Sequence, residues 1–308
     1  MTTKSPFKKV TARSIIFWLI IGSFLGTVIL ELIAISFKSV LTAKNFDLEN
    51  INFKDPLFTV LIANSLFYGL VGSWLLFHVK RSHLKLKFLF GKLPRSNNWF
   101  PWLFMILPIL LFSLGSGQII YYLTFLIQPE FVTSLIQNKL FLTAQETSFP
   151  LIYNLVQVLS IIIFAPLIEE ILFRGILLQR WSVKWGVLPG ILASSLIFGC
   201  LHFNVLGLIN FGLVMALLYL RTKTLFLPII FHALNNLIAV AMEVSATIFN
   251  ERETFYTVEQ IQSSWWQGLI AIALSLPFLI LFWRNNWQLI PESLPYFANR
   301  DRAAPQRS

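Results

Sequence analysis

Charge is scarce in this chain. Asp, Glu, Lys and Arg make up 12% of its 308 residues, against roughly a quarter in an ordinary soluble domain. Acidic residues are the scarcer kind, 14 against 24 Lys and Arg. The one cysteine, Cys200, excludes an internal disulfide and says little about compartment. No internal repeat or low-complexity tract is visible, so nothing suggests an inverted-repeat transporter. The first apolar run starts near Ile15, is long, and has no small-residue cleavage site where one should fall. A cleavable signal peptide is therefore not expected.

Apolar side chains are what the chain has in excess, at 56% of residues and a mean hydropathy of +0.71. A soluble fold of this length could not hide so much apolar surface, whereas lipid can solvate it. The apolar runs also reach the roughly 20 residues that a spanning helix needs. They predict an all-α, polytopic membrane bundle of about eight helices. The expected spans are Ile15–Phe37, Leu57–Val79, Phe100–Ile127, Leu151–Arg180, Val187–His202, Leu206–Leu220, Leu225–Phe249 and Gln267–Trp283. The fifth and sixth are short and nearly continuous, as in a tight hairpin or a partly re-entrant pair.

The basic residues alternate with these spans. Lys4, Lys8, Lys9 and Arg13 precede the first, and Lys80, Arg81, Lys85, Lys87, Lys92 and Arg95 follow the second. Arg180 and Lys184 follow the fourth, Arg221 and Lys223 the sixth, and Arg284, Arg300, Arg302 and Arg307 the last. The intervening loops are balanced or acidic. Cytoplasmic loops carry the Lys/Arg excess, so both termini are expected in the cytoplasm. The net charge of +10 then reads as topology and attraction to anionic headgroups of the lipid bilayer, with no nucleic acid partner. Most of the ten tryptophans, among them Trp99, Trp102, Trp181, Trp185, Trp265 and Trp283, fall at expected span edges, where an amphipathic ring prefers to lie. The expected location is a multi-pass integral membrane protein, in the cell membrane of a bacterium or an internal membrane otherwise.

Against this apolar background a few polar residues stand out. The fourth span reads Pro166-Leu167-Ile168-Glu169-Glu170-Ile171-Leu172-Phe173-Arg174. An acidic side chain near the bilayer centre costs about 2.5–3.5 kcal/mol on insertion scales, so it should face a cavity or a partner. Glu170 and Arg174 are four residues apart, in the favourable order for an ion pair on one helix face. Adjacent residues point about 100° apart, so Glu169 lacks that partner and is free for chemistry. The fifth span ends with Phe198 and His202, and the seventh contains His232, Asn235 and Asn236. Phe198 and His202 share a face, as do His232 and Asn236. At about 1.5 Å per residue, these groups lie roughly 14–22 Å above the cytoplasmic edge. That overlap requires the fourth helix to continue past Arg174 to about Arg180. Each group alone would suit a packing role. No Ser or Cys nearby has a base at helical spacing, Ser194, Ser195 and Cys200 included.

Glu169-Glu170-x-x-x-Arg174, Phe198-x-x-x-His202 and His232-x-x-x-Asn236, in that order, resemble the CPBP family. These are the type II CAAX-processing prenyl endopeptidases and bacteriocin-processing (Abi) membrane proteases. The resemblance covers about residues 150–240. It divides the chain into an N-terminal three-helix region (1–149), a protease-like core (150–240), and a last part (241–308) with the end of the seventh helix, the last span and a basic cytoplasmic tail. It implies an intramembrane endopeptidase acting on membrane-associated or prenylated peptide or protein substrates. Glu169 would be the general base and His202 would hold the attacking water, with His232 and Asn236 stabilising the oxyanion. Glu170, Arg174 and Phe198 would support them.

Two chemistries stay open. One is a metal-independent glutamyl mechanism, the preferred one, with no cofactor. The other is a zinc site of Glu169, His202 and His232, a ligand set of the kind zinc hydrolases use. Other functions also fit the residues: a non-catalytic scaffold or bacteriocin-immunity protein of the same fold, or a proton-coupled transporter. The last needs polar access from both sides, which the first three spans scarcely offer.

Overall fold

A computed structural model of the chain describes residues 5–15, 17–18, 55–93, 100–137, 140–249, 257–287 and 293–304. Among these residues there are helices and no strands. The expected first span, Ile15–Phe37, lies almost wholly outside the described residues. The long helices are α1 (Pro56–Arg81), α3 (Ile106–Ile127), α5 (Pro150–Trp185), α7 (Val205–Thr222), α8 (Phe226–Phe249) and α9 (Val258–Trp287). Shorter pieces are α2 (Leu86–Phe90), α4 (Pro129–Gln137), α6 (Val187–Cys200) and α10 (Pro295–Arg302). Among the described residues, six helices are long and apolar enough to cross a bilayer. The expected fifth span is not: α6 has 14 residues, about 21 Å of rise.

Only helices close all their backbone hydrogen bonds within one segment in lipid. The ends are fixed by side chains. Asp55 caps α1 by accepting from Leu57 N at 2.9 Å, and Asn204 caps α7 by accepting from Gly207 N at 3.2 Å. Gly186 turns the chain from α5 into α6 with φ +98°, a conformation that other residues rarely adopt.

The exposure pattern is that of a protein solvated by lipid. Leu151, Ile127 and Phe104 are among the most exposed side chains, whereas Glu170, Arg174 and Gln179 are buried. The central helix is α7, whose residues 214–220 are all buried. It packs on α6, α3, α8 and α5. One core joins side chains from Phe7 to Tyr296.

The crossing of α3 and α9 depends on two facing glycines. A Cβ on Gly115 would lie 2.5 Å from the carbonyl oxygen of Gly268, and one on Gly268 would lie 2.6 Å from that of Gly115. Small residues at such a crossing let helix backbones approach closely in lipid. Gly268→Val is expected to lower the thermal denaturation midpoint in detergent, by overpacking worth about 1–3 kcal/mol. Gly69→Ala, where an added Cβ meets nothing within 4 Å, should leave it unchanged.

The basic loops gather at one end of the bundle. Tyr219 Oη donates to Leu89 O at 3.0 Å, and Gln179 Nε2 donates to Tyr219 Oη at 3.0 Å. Tyr296 N donates to Gln179 Oε1 at 3.1 Å, Asn299 Nδ2 to Lys223 O at 2.7 Å, and Arg180 Nε to Val10 O at 2.8 Å. Phe7 is buried edge-on against Tyr296. The expected basic tail is thus in part a docked helix, α10, because Tyr296 and Asn299 supply donors and an aromatic face to the loop ends. Trp181, expected at a span edge, is buried in the core. At the other end, Thr147 Oγ1 and Ser148 N donate to the Asp55 carboxylate at 2.5 and 2.6 Å.

Candidate active site

The site is built on α5, whose helical geometry is interrupted twice. Ser160–Phe164 and Ile171–Leu178 are π-helical turns on either side of the α-helical turn Ala165–Glu170. Wide turns of this kind occur often at functional sites. Pro166 accounts for an open acceptor in the first. In a π-helix residue 166 would donate to Ile161 O, and proline has no N–H to give. Asn236 takes that place from α8, with Nδ2 donating to Ile161 O at 2.8 Å. The helix runs on past Arg174 to Trp185, which is the condition for Glu169 and His202 to share a depth.

The two glutamates are used differently. Glu170 is fully buried, and its Oε1 accepts from Arg174 Nη1 at 2.9 Å and from His232 Nδ1 at 3.0 Å. Arg174 is held further by the carbonyl of Gly212, 3.3 Å from Nη2, and by the ring of Phe198, whose centroid lies 4.6 Å from Cζ. Such a desolvated cation–π contact is worth about 2 kcal/mol. Glu169 is half-buried and makes no hydrogen bond or ion pair to another described residue. It interacts electrostatically with His232, His202, Glu170 and Arg174.

Both imidazoles are anchored through Nδ1. His202 Nδ1 lies 2.7 Å from Phe198 O. A carbonyl only accepts, so Nδ1 carries the proton there. His232 Nδ1 faces the Glu170 carboxylate, which sets the same tautomer. With Nδ1 so engaged, Nε2 is the nitrogen each ring has left for water or substrate. Phe198 packs against both rings, at 4.8 Å from His202 and 6.1 Å from His232, and Phe211 closes on His232 at 4.8 Å. Asn235 Nδ2 is 3.4 Å from Asn236 Oδ1.

Among the described residues, no three His, Cys, Asp or Glu side chains are grouped so that they could hold a metal ion. Glu169, His202 and His232, the zinc alternative, are not grouped in that way in this arrangement.

The polar ties of three residues around the site, Asn64, Tyr68 and Asn204, were not legible in the sequence. Asn64 Nδ2 donates to Ser160 Oγ at 2.9 Å and Tyr68 Oη to Ser160 O at 3.3 Å. Asn204 Nδ2 donates to Ser113 O at 2.6 Å, while its Oδ1 accepts from Ser116 Oγ at 3.0 Å. This pins the loop that follows His202 to α3. A signal existed for the first two: Asn64 and Tyr68 are four apart on one face of a largely apolar helix. For Asn204 the signal is an Asn just before an apolar helix.

Residues 151–238 match the family described as Type II CAAX prenyl endopeptidase Rce1-like. Among curated proteins, "Putative membrane peptidase YdiL" of Bacillus subtilis (strain 168) is 35% identical over 85 residues, which is 27% of this chain. The chain spans 35% of that relative's length. No solved structure matches. The segment that carries Glu169, His202, His232 and Asn236 is thus similar in sequence to Rce1-like type II CAAX prenyl endopeptidases, the group whose motifs it resembles.

Proposed function

We propose that the protein is an intramembrane endopeptidase that hydrolyses peptide bonds of membrane-associated or prenylated substrates, with Glu169 as general base. One observation carries this reading: Glu170 takes both Arg174 and His232, while Glu169 makes no ion pair among the described residues. A lone structural ion pair needs one glutamate, and here a second is left over.

In this reading Glu169 takes a proton from water held with His202 Nε2, and the hydroxide attacks the scissile carbonyl carbon. The carbonyl oxygen becomes an oxyanion. Asn236 has one Nδ2 hydrogen on Ile161 O and a second to offer it. His232 can donate through Nε2 only as imidazolium, for which Glu170 is the counter-ion. The proton on Glu169 then passes to the departing amine as the C–N bond breaks. Donors aimed at a developing oxyanion are worth about 3–4 kcal/mol each. The basic end of the bundle faces the cytoplasm in this reading, of a bacterial cell membrane or of an internal one.

Cleavage of a quenched-fluorescent prenylated peptide, and of an unprenylated membrane peptide, in phosphatidylcholine vesicles tests the proposal. A wild type that cuts neither, or a Glu169→Gln variant that turns over as fast as wild type, ends it. The mechanism is metal-independent, so the purified protein should hold far less than stoichiometric zinc and keep its turnover after chelation. Stoichiometric zinc lost together with activity overturns that part.

A further inference from the structure

We propose that Tyr68, on α1 and outside the matched segment, is a positioning residue for Glu169; this rests on the reading of Glu169 as the base. The π turn Ser160–Phe164 is closed by its own backbone only in part. Ser160 O receives the Ala165 N–H, and the next carbonyl along, Ile161, loses its donor to Pro166. Side chains from two other helices hold these successive carbonyls: Tyr68 Oη from α1 on Ser160 O, and Asn236 Nδ2 from α8 on Ile161 O. In this proposal the wide turn acts as a hinge in α5, and the two ties anchor it to α1 and to α8. The turn it carries, Ala165–Glu170, bears Glu169.

Four further contacts place Tyr68 there. Asn64, one turn earlier on the same face, binds Ser160 Oγ at 2.9 Å. The Tyr68 ring lies 6.1 Å from that of Phe164. Helix α1 packs directly on the Ala165–Glu170 turn. The Tyr68 hydroxyl also interacts electrostatically with Glu169. Catalytic geometry is steep, since a misplacement of about 1 Å can cost about 10²-fold in rate. A tie at the hinge therefore acts on turnover without touching substrate.

Tyr68→Phe keeps the ring against Phe164 and removes only the hydroxyl. In the vesicle assay with the quenched-fluorescent prenylated peptide, kcat is expected to fall about tenfold, with KM and the denaturation midpoint close to wild type. Gln118→Leu is the comparison: it removes another side-chain-to-carbonyl tie between helices, Gln118 Nε2 to Ser264 O at 2.7 Å, which does not involve the Ser160–Phe164 turn. It should lower the midpoint and leave kcat unchanged. Wild-type kcat in Tyr68→Phe beside an inactive Glu169→Gln overturns the role of Tyr68 and leaves the base standing. Wild-type turnover in Glu169→Gln removes the base and this inference with it. Equal kcat losses in Tyr68→Phe and Gln118→Leu would mean general loosening, which also overturns it.

Discussion

Glu169→Gln is expected to lose at least about 10²-fold in kcat, the lower end of what a general base contributes, which is about 2.7 kcal/mol of barrier. The substitution is close to isosteric and removes only the ability to take a proton. Because Glu169 makes no hydrogen bond or ion pair to another described residue, the denaturation midpoint should not move. The combination is diagnostic. An inactive variant with a lowered midpoint would assign the loss to folding, and an active one would favour a scaffold of the same fold. Measuring turnover and thermal midpoint on the same reconstituted sample separates these outcomes.

Glu170→Ala should behave in the opposite way. Arg174 is 1% exposed and Glu170 is 0% exposed, so removing the carboxylate leaves a buried guanidinium without its ion-pair partner, held by Gly212 O and the Phe198 and Phe173 rings. Breaking a buried pair by deleting one partner costs about 3–5 kcal/mol, because an uncompensated charge remains. Arg174→Ala should cost a similar amount. Replacing both by apolar residues of similar volume should cost less than the two single losses added together, since neither charge is then stranded. Glu170→Ala also frees His232 Nδ1 from its acceptor, so turnover should fall together with stability. A Glu170→Ala protein with a wild-type midpoint in detergent would show that the pair does not hold α5 to α7.

The contrast between these two glutamates marks how far the sequence could be read. The Glu170–Arg174 pair was legible because it is local: four residues apart on one helix, with a desolvation cost that demands a partner. That Glu169 would be left over followed from the same geometry. The partner of His232 was not legible. Sequence spacing puts His232 with Asn236, yet its Nδ1 binds Glu170, 62 positions away. Asn236, read as an oxyanion donor, has one hydrogen on the carbonyl that Pro166 leaves open. The tail helix α10 was missed for a related reason. Its few apolar groups, Tyr296 among them, acquire meaning only beside Phe7 and the end of α5.

The sequence by itself determined that this is a helical membrane protein, roughly where its long helices lie, and which polar residues are out of place within them. Lipid imposes those features locally, through the length of apolar runs and the cost of each buried charge. Only the tertiary structure decided which face each helix turns inward: that Glu170 receives His232, and that α1 brings Tyr68 to the wide turn of α5. The physical reason is that several of these helices are apolar nearly all round. Without an amphipathic stripe, nothing in a single helix says which side meets a neighbour. That choice is made by packing and by the few polar groups that must find each other across the bundle.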